Sequence, residues 1–282
     1  KNNEKKKVTL VLASPGGAVD STFLATEMEP FTLTNKPKEA GKYLYNLIAK
    51  NEKGDTLSTE TIPVIIHPKR KLRVVVINNF PRYETKYLKN WLGEEGHSVA
   101  VRSIISKNKV KDEFVNQSPI TFRLTQTALK QIDLLILDSE YAQSLAGVAL
   151  RNVQQAIQNQ GLGLLIQIDE TGAVPVSLAK FPLAGIQTTK TSLSGSSFGQ
   201  KGNFELNQLP YLLQPKMGTL ALVRNTQGQT LVGYNIKGLG GVAVSLVEES
   251  YQMLLEGKSK FYAAYWSHIL NRLAKKQNAQ HQ

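Results

Sequence analysis

Three carboxylates sit where chemistry is often done in open α/β sheets. Asp138 follows the apolar run Leu134-Leu135-Ile136-Leu137, and Asp169 and Glu170 follow Gly163-Leu164-Leu165-Ile166-Gln167-Ile168. Asn78, Asn79 and Arg82 follow a third such run, Val74-Val75-Val76-Ile77. Runs of this kind suit strands buried on both faces, and ligands of such sheets bind beyond the carboxyl ends of the strands. A carboxylate pair there can exchange protons with a substrate or hold a divalent cation. Strand-end Asp residues also cap the helix that follows, and that simpler role is favoured for all three. Pro81 and Glu84 fit ordinary helix initiation.

Other chemistry has less support. Gly195-Ser196-Ser197-Phe198-Gly199 matches the nucleophile-elbow pattern, but that motif needs a buried strand before it and a helix after it. Here a polar stretch precedes it, so Ser197 is read as part of a flexible loop. His67, His97, His268 and His281 are too dispersed to bind a metal, and no metal or other cofactor is expected. His268 reads as a packing residue or a helix-end cation rather than a base. The absence of cysteine removes thiolate catalysis, disulfides and cysteine-ligated metals. Gly238-Leu239-Gly240-Gly241 is followed by a strand pattern rather than a helix, so it is a hairpin turn and not a dinucleotide fingerprint.

The elements that must carry these residues change character near Pro68-Lys69-Arg70-Lys71. Residues 1–68 read as all-β, with strands at Val8–Leu12, Phe31–Thr34, Tyr43–Ala49 and Thr61–Ile66. Pro15-Gly16-Gly17 ends the first strand, and Asn51 to Asp55 turns between the last two. Glu39-Ala40-Gly41-Lys42-Tyr43 resembles the tyrosine corner of immunoglobulin-like sandwiches. Beyond the boundary, strand and helix patterns alternate. A strand at Leu72–Ile77 leads to a helix from Glu84 to about Glu94, whose Tyr83, Tyr87 and Trp91 share one face. Ser98–Arg102 is a short strand, Ser103–Gln131 loop and weak helix, and 171–218 a long irregular excursion. Two antiparallel strands, Thr230–Tyr234 and Val242–Leu246, precede a terminal amphipathic helix with Trp266 facing inward.

The net charge of +12 is concentrated in residues 69–282, which hold 25 Lys/Arg against 14 Asp/Glu. The charges are dispersed, which favours a soluble basic surface over a polyanion site. Nucleic-acid binding is disfavoured because the aromatics near Arg82 and Lys86 lie on the face expected to pack on the sheet. No apolar stretch reaches the roughly 20 residues of a membrane span. The chain opens at Lys1 without a methionine, and the expectation is a fragment that has lost a signal peptide or membrane segment.

Taken in order, several segments resemble the class I glutamine-amidotransferase-like domain. They are Val74 to Glu84 with Tyr87-Leu88, Asp133–Asp138, Gly161–Ile166, Gly238–Val244 and the Trp266 helix, together spanning about residues 72–275. The resemblance is to the membrane-anchored bacterial type that couples such a domain to an immunoglobulin-like module. It implies an α/β flavodoxin-like sheet with helices on both faces over residues 69–276, behind a small, truncated immunoglobulin-like β-sandwich over 1–68, with a tail at 277–282. It also implies a position on the extracytoplasmic face of the inner membrane. True amidotransferases need a cysteine nucleophile and a late histidine–glutamate pair. Here the corresponding segments read Asp169-Glu170-Thr171-Gly172 and Val247-Glu248-Glu249-Ser250, so glutaminase chemistry is not expected. What remains is a non-catalytic protein, anchored through an N-terminal segment outside this sequence and working by association with an envelope protein or by sensing. A hydrolase using the strand-end carboxylates and a polyanion binder are the alternatives.

Overall fold

The computed structural model describes residues 8–24, 30–35, 37, 39–66, 68, 70–107, 109–188, 190–214 and 217–276. The expected tail, together with His67, Lys69 and His281, lies outside the described residues. The chain divides into two compact units, Lys1–Arg70 and Lys71–Gln282.

The first unit holds four antiparallel strands: β1 (Val8–Ser14), β2 (Gly17–Leu24), β3 (Gly41–Lys50) and β4 (Thr56–Ile66), in the order β2-β1-β3-β4. The expected immunoglobulin-like sandwich is corrected on this point, because the described residues of this unit form one sheet and not two packed sheets. Asp20 explains one misreading. Its carboxylate accepts from Thr34 N at 2.6 Å, which holds Phe31–Thr34 as irregular chain beside β2. The edge place next to β1 goes to β2, whose polar GAVDSTFL carries almost no hydrophobic alternation. Tyr43 Oη donates to Glu39 O at 3.3 Å. Val8, Leu10 and Tyr45 fill the buried face, and the other face shows Phe23, Leu44 and Ile65 at 50%, 61% and 59% exposure.

The second unit is built on an eight-stranded mixed sheet. Its first half contains β5 (Arg73–Asn78), α1 (Tyr83–Glu94), β6 (Ser98–Ser106), β7 (Lys109–Val115), α2 (Gln126–Lys130), β8 (Leu134–Asp138), α3 (Ser139–Ser144), α4 (Gly147–Gln160) and β9 (Gly163–Gln167). Short strands follow: β10 (Leu183–Gly185), β11 (Lys190–Ser194), β12 (Asn203–Asn207) and β13 (Tyr211–Leu213). The chain ends with β14 (Leu220–Arg224), β15 (Thr230–Lys237), β16 (Gly240–Ser245), α5 (Gln252–Leu255) and α6 (Ser259–Leu273). The order across the sheet is β14-β15-β16-β9-β8-β5-β6-β7. The strands from β6 to β16 are mutually parallel, while β7, β15 and β14 run antiparallel to their neighbours.

This corrects the flavodoxin-like sheet with helices on both faces. Two of the eight strands, β7 and β15, run opposite to the other six, and among the described residues no crossover helix joins β9 to β16. The strand pair β10–β13 and the β11–β12 hairpin between them supply cover in its place, through Phe181 and Leu213 on one face and Leu193, Phe204 and Leu206 on the other. The second difference is β7, which occupies the middle of the expected loop. Its charges pair outward, Arg102 binding Asp112 through two hydrogen bonds of 2.8 and 2.6 Å, and Lys89 meeting Glu113 at 2.5 Å. Alternating charge of this kind is compatible with a sheet edge, where one row of backbone groups meets water. The aromatic face of α1 is also split. Trp91 is buried, but Tyr83 is 68% exposed and Tyr87 stacks on Tyr251 at 5.2 Å.

The parallel strands are buried on both faces, which explains their unbroken apolar runs. Val74, Val76, Leu134 and Ile136 meet Leu88 and Leu92 of α1 and Trp266 and Ile269 of α6. Val75, Leu135, Leu137 and Leu164 meet Val153, Ala156 and Ile157 of α4. Two glycines allow the closest approaches. Gly238 has φ +59, and a Cβ there would lie 2.2 Å from Gln158 O. A Cβ on Gly163 would lie 2.0 Å from Leu273 O at the end of α6. Gly163→Ala is therefore expected to destabilise the chain by about 1–3 kcal/mol through overpacking against backbone that cannot yield. Gly185→Ala, with open space around it, should fall within about 0.5 kcal/mol of wild type when both variants are unfolded by urea titration.

Candidate functional site

The carboxyl ends of β5, β8, β9 and β16 carry the candidate site, and its acids can be followed one at a time. Asp138 closes β8 and is fully buried. Its Oδ1 accepts from Tyr141 N at 2.7 Å, which caps α3, and its Oδ2 accepts from Asn79 N at 2.6 Å. Burial pushes its carboxyl upward, opposed by those two N–H groups and by the charge of Arg82. Both oxygens are spent on backbone that turns from strand to loop.

Asp169, just past β9, is occupied in a different way. Oδ2 accepts from Ser139 Oγ at 2.5 Å, while Oδ1 accepts from Thr171 Oγ1 at 2.5 Å and Thr171 N at 3.0 Å. Burial acts to raise this carboxyl, but the two hydroxyls, the Thr171 N–H and Arg82 outweigh it and hold it below the usual range. Glu170 turns to solvent, and its backbone oxygen accepts from Tyr211 Oη at 3.1 Å. Asn78 is fully buried at the end of β5, with Nδ2 donating to Thr85 Oγ1 at 2.8 Å and Oδ1 left without a partner. Arg82 packs its guanidinium over Phe80 at 4.6 Å from the ring centre, and its charge bears on Asp138, Asp169 and Glu248.

The six residues do share one edge. The structure joins Asn79 to Asp138 directly, places Arg82 among the acids and leaves the Glu170 side chain outside. No group of three or more His, Asp or Glu residues spaced to hold a metal occurs among the described residues. Ser197 lies on a 3₁₀ turn, Gly195–Phe198, donating to Ser194 O at 2.7 Å and accepting from Arg224 N at 3.3 Å. No hydrogen bond joins it to a histidine among the described residues. His268, on α6, is lowered by burial.

Two acids escaped the sequence reading. Glu248 follows β16, half-buried, and is raised by burial and by neighbouring Glu170, Glu249 and Asp169 against the pull of Arg82. Its position just past an apolar strand was the available signal. Glu84 had none. It reads as a helix-start charge, yet it is buried and ties together segments 166 residues apart in sequence. Ser250 Oγ donates to Glu84 Oε1, Tyr251 N donates to Oε2 at 3.2 Å, and Trp266 Nε1 donates to Ser250 Oγ at 2.9 Å. Burial pushes Glu84 up to about 8, against the hydrogen bonds from Ser250 and Tyr251. At neutral pH it is mostly a neutral acid.

No protein-family model matches the sequence, and no curated protein matches it. Among solved structures, an exo-β-1,4-mannosidase from Opitutaceae bacterium strain TAV5 is similar at 14% identity, covering 74% of this chain and 37% of its own, with a TM-score of 0.42. A cytoplasmic protein from Salmonella typhimurium LT2 is similar at 13% identity, covering 72% and 100%, with a TM-score of 0.44. A β-galactosidase from Bacillus circulans sp. alkalophilus is similar at 9% identity, covering 66% and 30%, with a TM-score of 0.34. This chain thus spans little more than a third of the mannosidase and under a third of the galactosidase. Likeness at this level assigns neither fold nor activity.

The raised Glu84 acid has a consequence for stability. Its folded pKa lies above the unfolded value of 4.5, so the folded state binds more protons between the two values. The contribution is complete below about pH 4.5 and is lost as pH rises through about 8. Wild type is expected to lose stability across that window with a component approaching about 1.4 kcal/mol per pH unit. Glu84→Gln should remove that component when chemical denaturation is repeated from pH 5 to 8.

Proposed function

We propose that this chain is a non-catalytic binding protein that works by protein–protein association. The observation that carries the reading is the saturation of the crevice acids, with Asp138 and Asp169 each using both carboxylate oxygens on nearby backbone and hydroxyl groups. A general acid or base must be within hydrogen-bond reach of its substrate's proton. Asp138 is fully buried, and Asp169 is held ionised by donors that a substrate would have to displace. Support for association comes from the exposed side of the four-stranded sheet. Phe23, Leu44 and Ile65 share that face and would lose water on contact with a partner. Placement outside the cytoplasmic membrane rests on the sequence resemblance alone.

One observation favours a second reading, a hydrolase of another class. Glu248 is raised while Asp169 is lowered, and Arg82 acts on both. Environments that push two carboxyls apart are how enzymes divide acid from base. In that reading Glu248 donates the proton and Asp169 accepts one.

The two readings part in one pair of measurements. Under the first, a panel of amide, ester and glycoside substrates shows no saturable turnover. Leu44→Asp with Ile65→Asp then releases a partner that co-purifies from native membranes, while the melting temperature stays within a few degrees. Saturable turnover that falls at least a hundredfold in Glu248→Gln would establish the enzyme and sink the binding protein.

A further inference from the structure

The connection from β6 to β8 leaves part of the sheet without a helix above it. On this face α4 covers Leu135, Leu137 and Leu164, but no long helix crosses Val75, Ile77 and Ala100. The chain instead turns back as β7, passes through residues 116–125 as an irregular strap, and forms α2, which has five residues. The strap is fixed at its ends. Asn116, at φ +54, donates through Nδ2 to Gly93 O at 2.8 Å and to His97 O at 3.0 Å. At the other end Asn152 Nδ2 donates to Leu124 O at 2.8 Å. Between these anchors, the hydrogen bond found among the described residues is Arg123 N to Thr121 O at 2.8 Å.

Beneath the strap lies a cleft of about 530 Å³, within the range of small-molecule sites. Val75 and Ile77 lie at its base, already buried, and Pro119, Ile120, Phe122 and Leu124 supply its accessible apolar walls. It lies toward the amino ends of the strands, away from the crevice acids. Neutral Ser98, Asn116, Gln117, Ser118, Thr121 and Gln131 also line it, and its charged groups are of one sign. Arg73 and Arg123 line it, and no carboxylate does. Arg73 Nη1 donates to Gln131 Oε1 at 2.8 Å, and Arg123 has no carboxylate partner among the described residues.

An apolar trough with a cationic margin fits one kind of molecule. We infer that the cleft binds a single-chain amphiphile with an anionic head, its methylene tail along Pro119, Ile120, Phe122 and Leu124 and its head on Arg123 and Arg73. Each methylene moved from water to such a surface contributes about 0.8 kcal/mol, and a guanidinium can grip a carboxylate or phosphate head through two hydrogen bonds. This goes beyond association through the other unit, and neither proposal needs the other.

The test is calorimetric titration of the full chain with octanoate, decanoate and laurate below micelle formation, alongside dodecanol and dodecyl phosphate. Laurate is expected to bind saturably, with affinity rising about fourfold per methylene until the cleft is filled. Arg123→Glu should weaken laurate tenfold or more and leave dodecanol unchanged. Ala128→Trp, which places an indole in the cleft, should abolish both. If that variant melts early, Ile120→Asp on the exposed strap takes its place. Dodecyl phosphate binding as tightly as laurate supports an alkyl anion with either head, and tighter binding points to a phosphate-headed source. Absence of saturable laurate binding, indifference to chain length, dodecanol binding as tightly as laurate, or full laurate affinity in Arg123→Glu would each overturn the proposal.

Discussion

A strand that is apolar on both faces has to be covered twice, and this requirement organises the larger unit. Val74 to Ile77, Leu134 to Leu137 and Leu164 to Ile166 offer no polar side to water. Burying them at roughly 25 cal/mol per Å² supplies the main favourable contribution to folding. Everything placed above and below the sheet answers that demand. The helices α1, α4 and α6 meet it over the middle, and the short strand pairs meet it where no helix is present. Over Val75 and Ile77 the cover is only a strap, and the cleft is the volume left between strap and sheet.

The same burial governs the carboxyl edge. Where a parallel strand stops, its backbone leaves the ladder and its polar groups must find partners without leaving the protein interior. Asp138 and Asp169 supply those partners, which is why they look reactive in the sequence and behave as structural groups in the fold. Glu84 belongs to the same economy of polar groups. It accepts from Ser250 and from the Tyr251 backbone, while the indole of Trp266 completes Ser250, so that the start of α1, the segment after β16 and α6 share one buried polar cluster.

The parts legible in the sequence were those specified by local pattern. The apolar strands and the turn at Gly238, which has φ +59, could be read from neighbouring residues. What failed depended on distant partners. β7 reads as a polar loop because its support comes from Arg102 and Lys89, and β2 has no strand reading in the sequence because an edge strand needs little hydrophobic alternation. The antiparallel pairing of Thr230–Tyr234 with Val242–Leu246 was legible, whereas the antiparallel run of β7 was hidden, since strand direction is set by which neighbour a segment pairs with. At the site, Asp138 and Asp169 were located by strand ends. Their occupancy by Ser139 and Thr171 was not legible, and neither was the burial of Glu84 against a serine far along the chain.

The two ends of the eight-stranded sheet bear on the behaviour of many copies together. An open ladder edge is a template on which another chain can add a strand, and repetition of that step builds fibrils. At one end β7 carries Lys109, Lys111, Asp112 and Glu113, so an incoming copy would have to desolvate an array of charges before gaining its backbone bonds. At the other, β14 is met by the hairpin of β11, with Leu193 bridging Asn225 and Thr226 N bonded to Ser192 O at 2.8 Å. Growth of the eight-stranded sheet by strand addition is therefore opposed by charge on one side and by a fitted cap on the other.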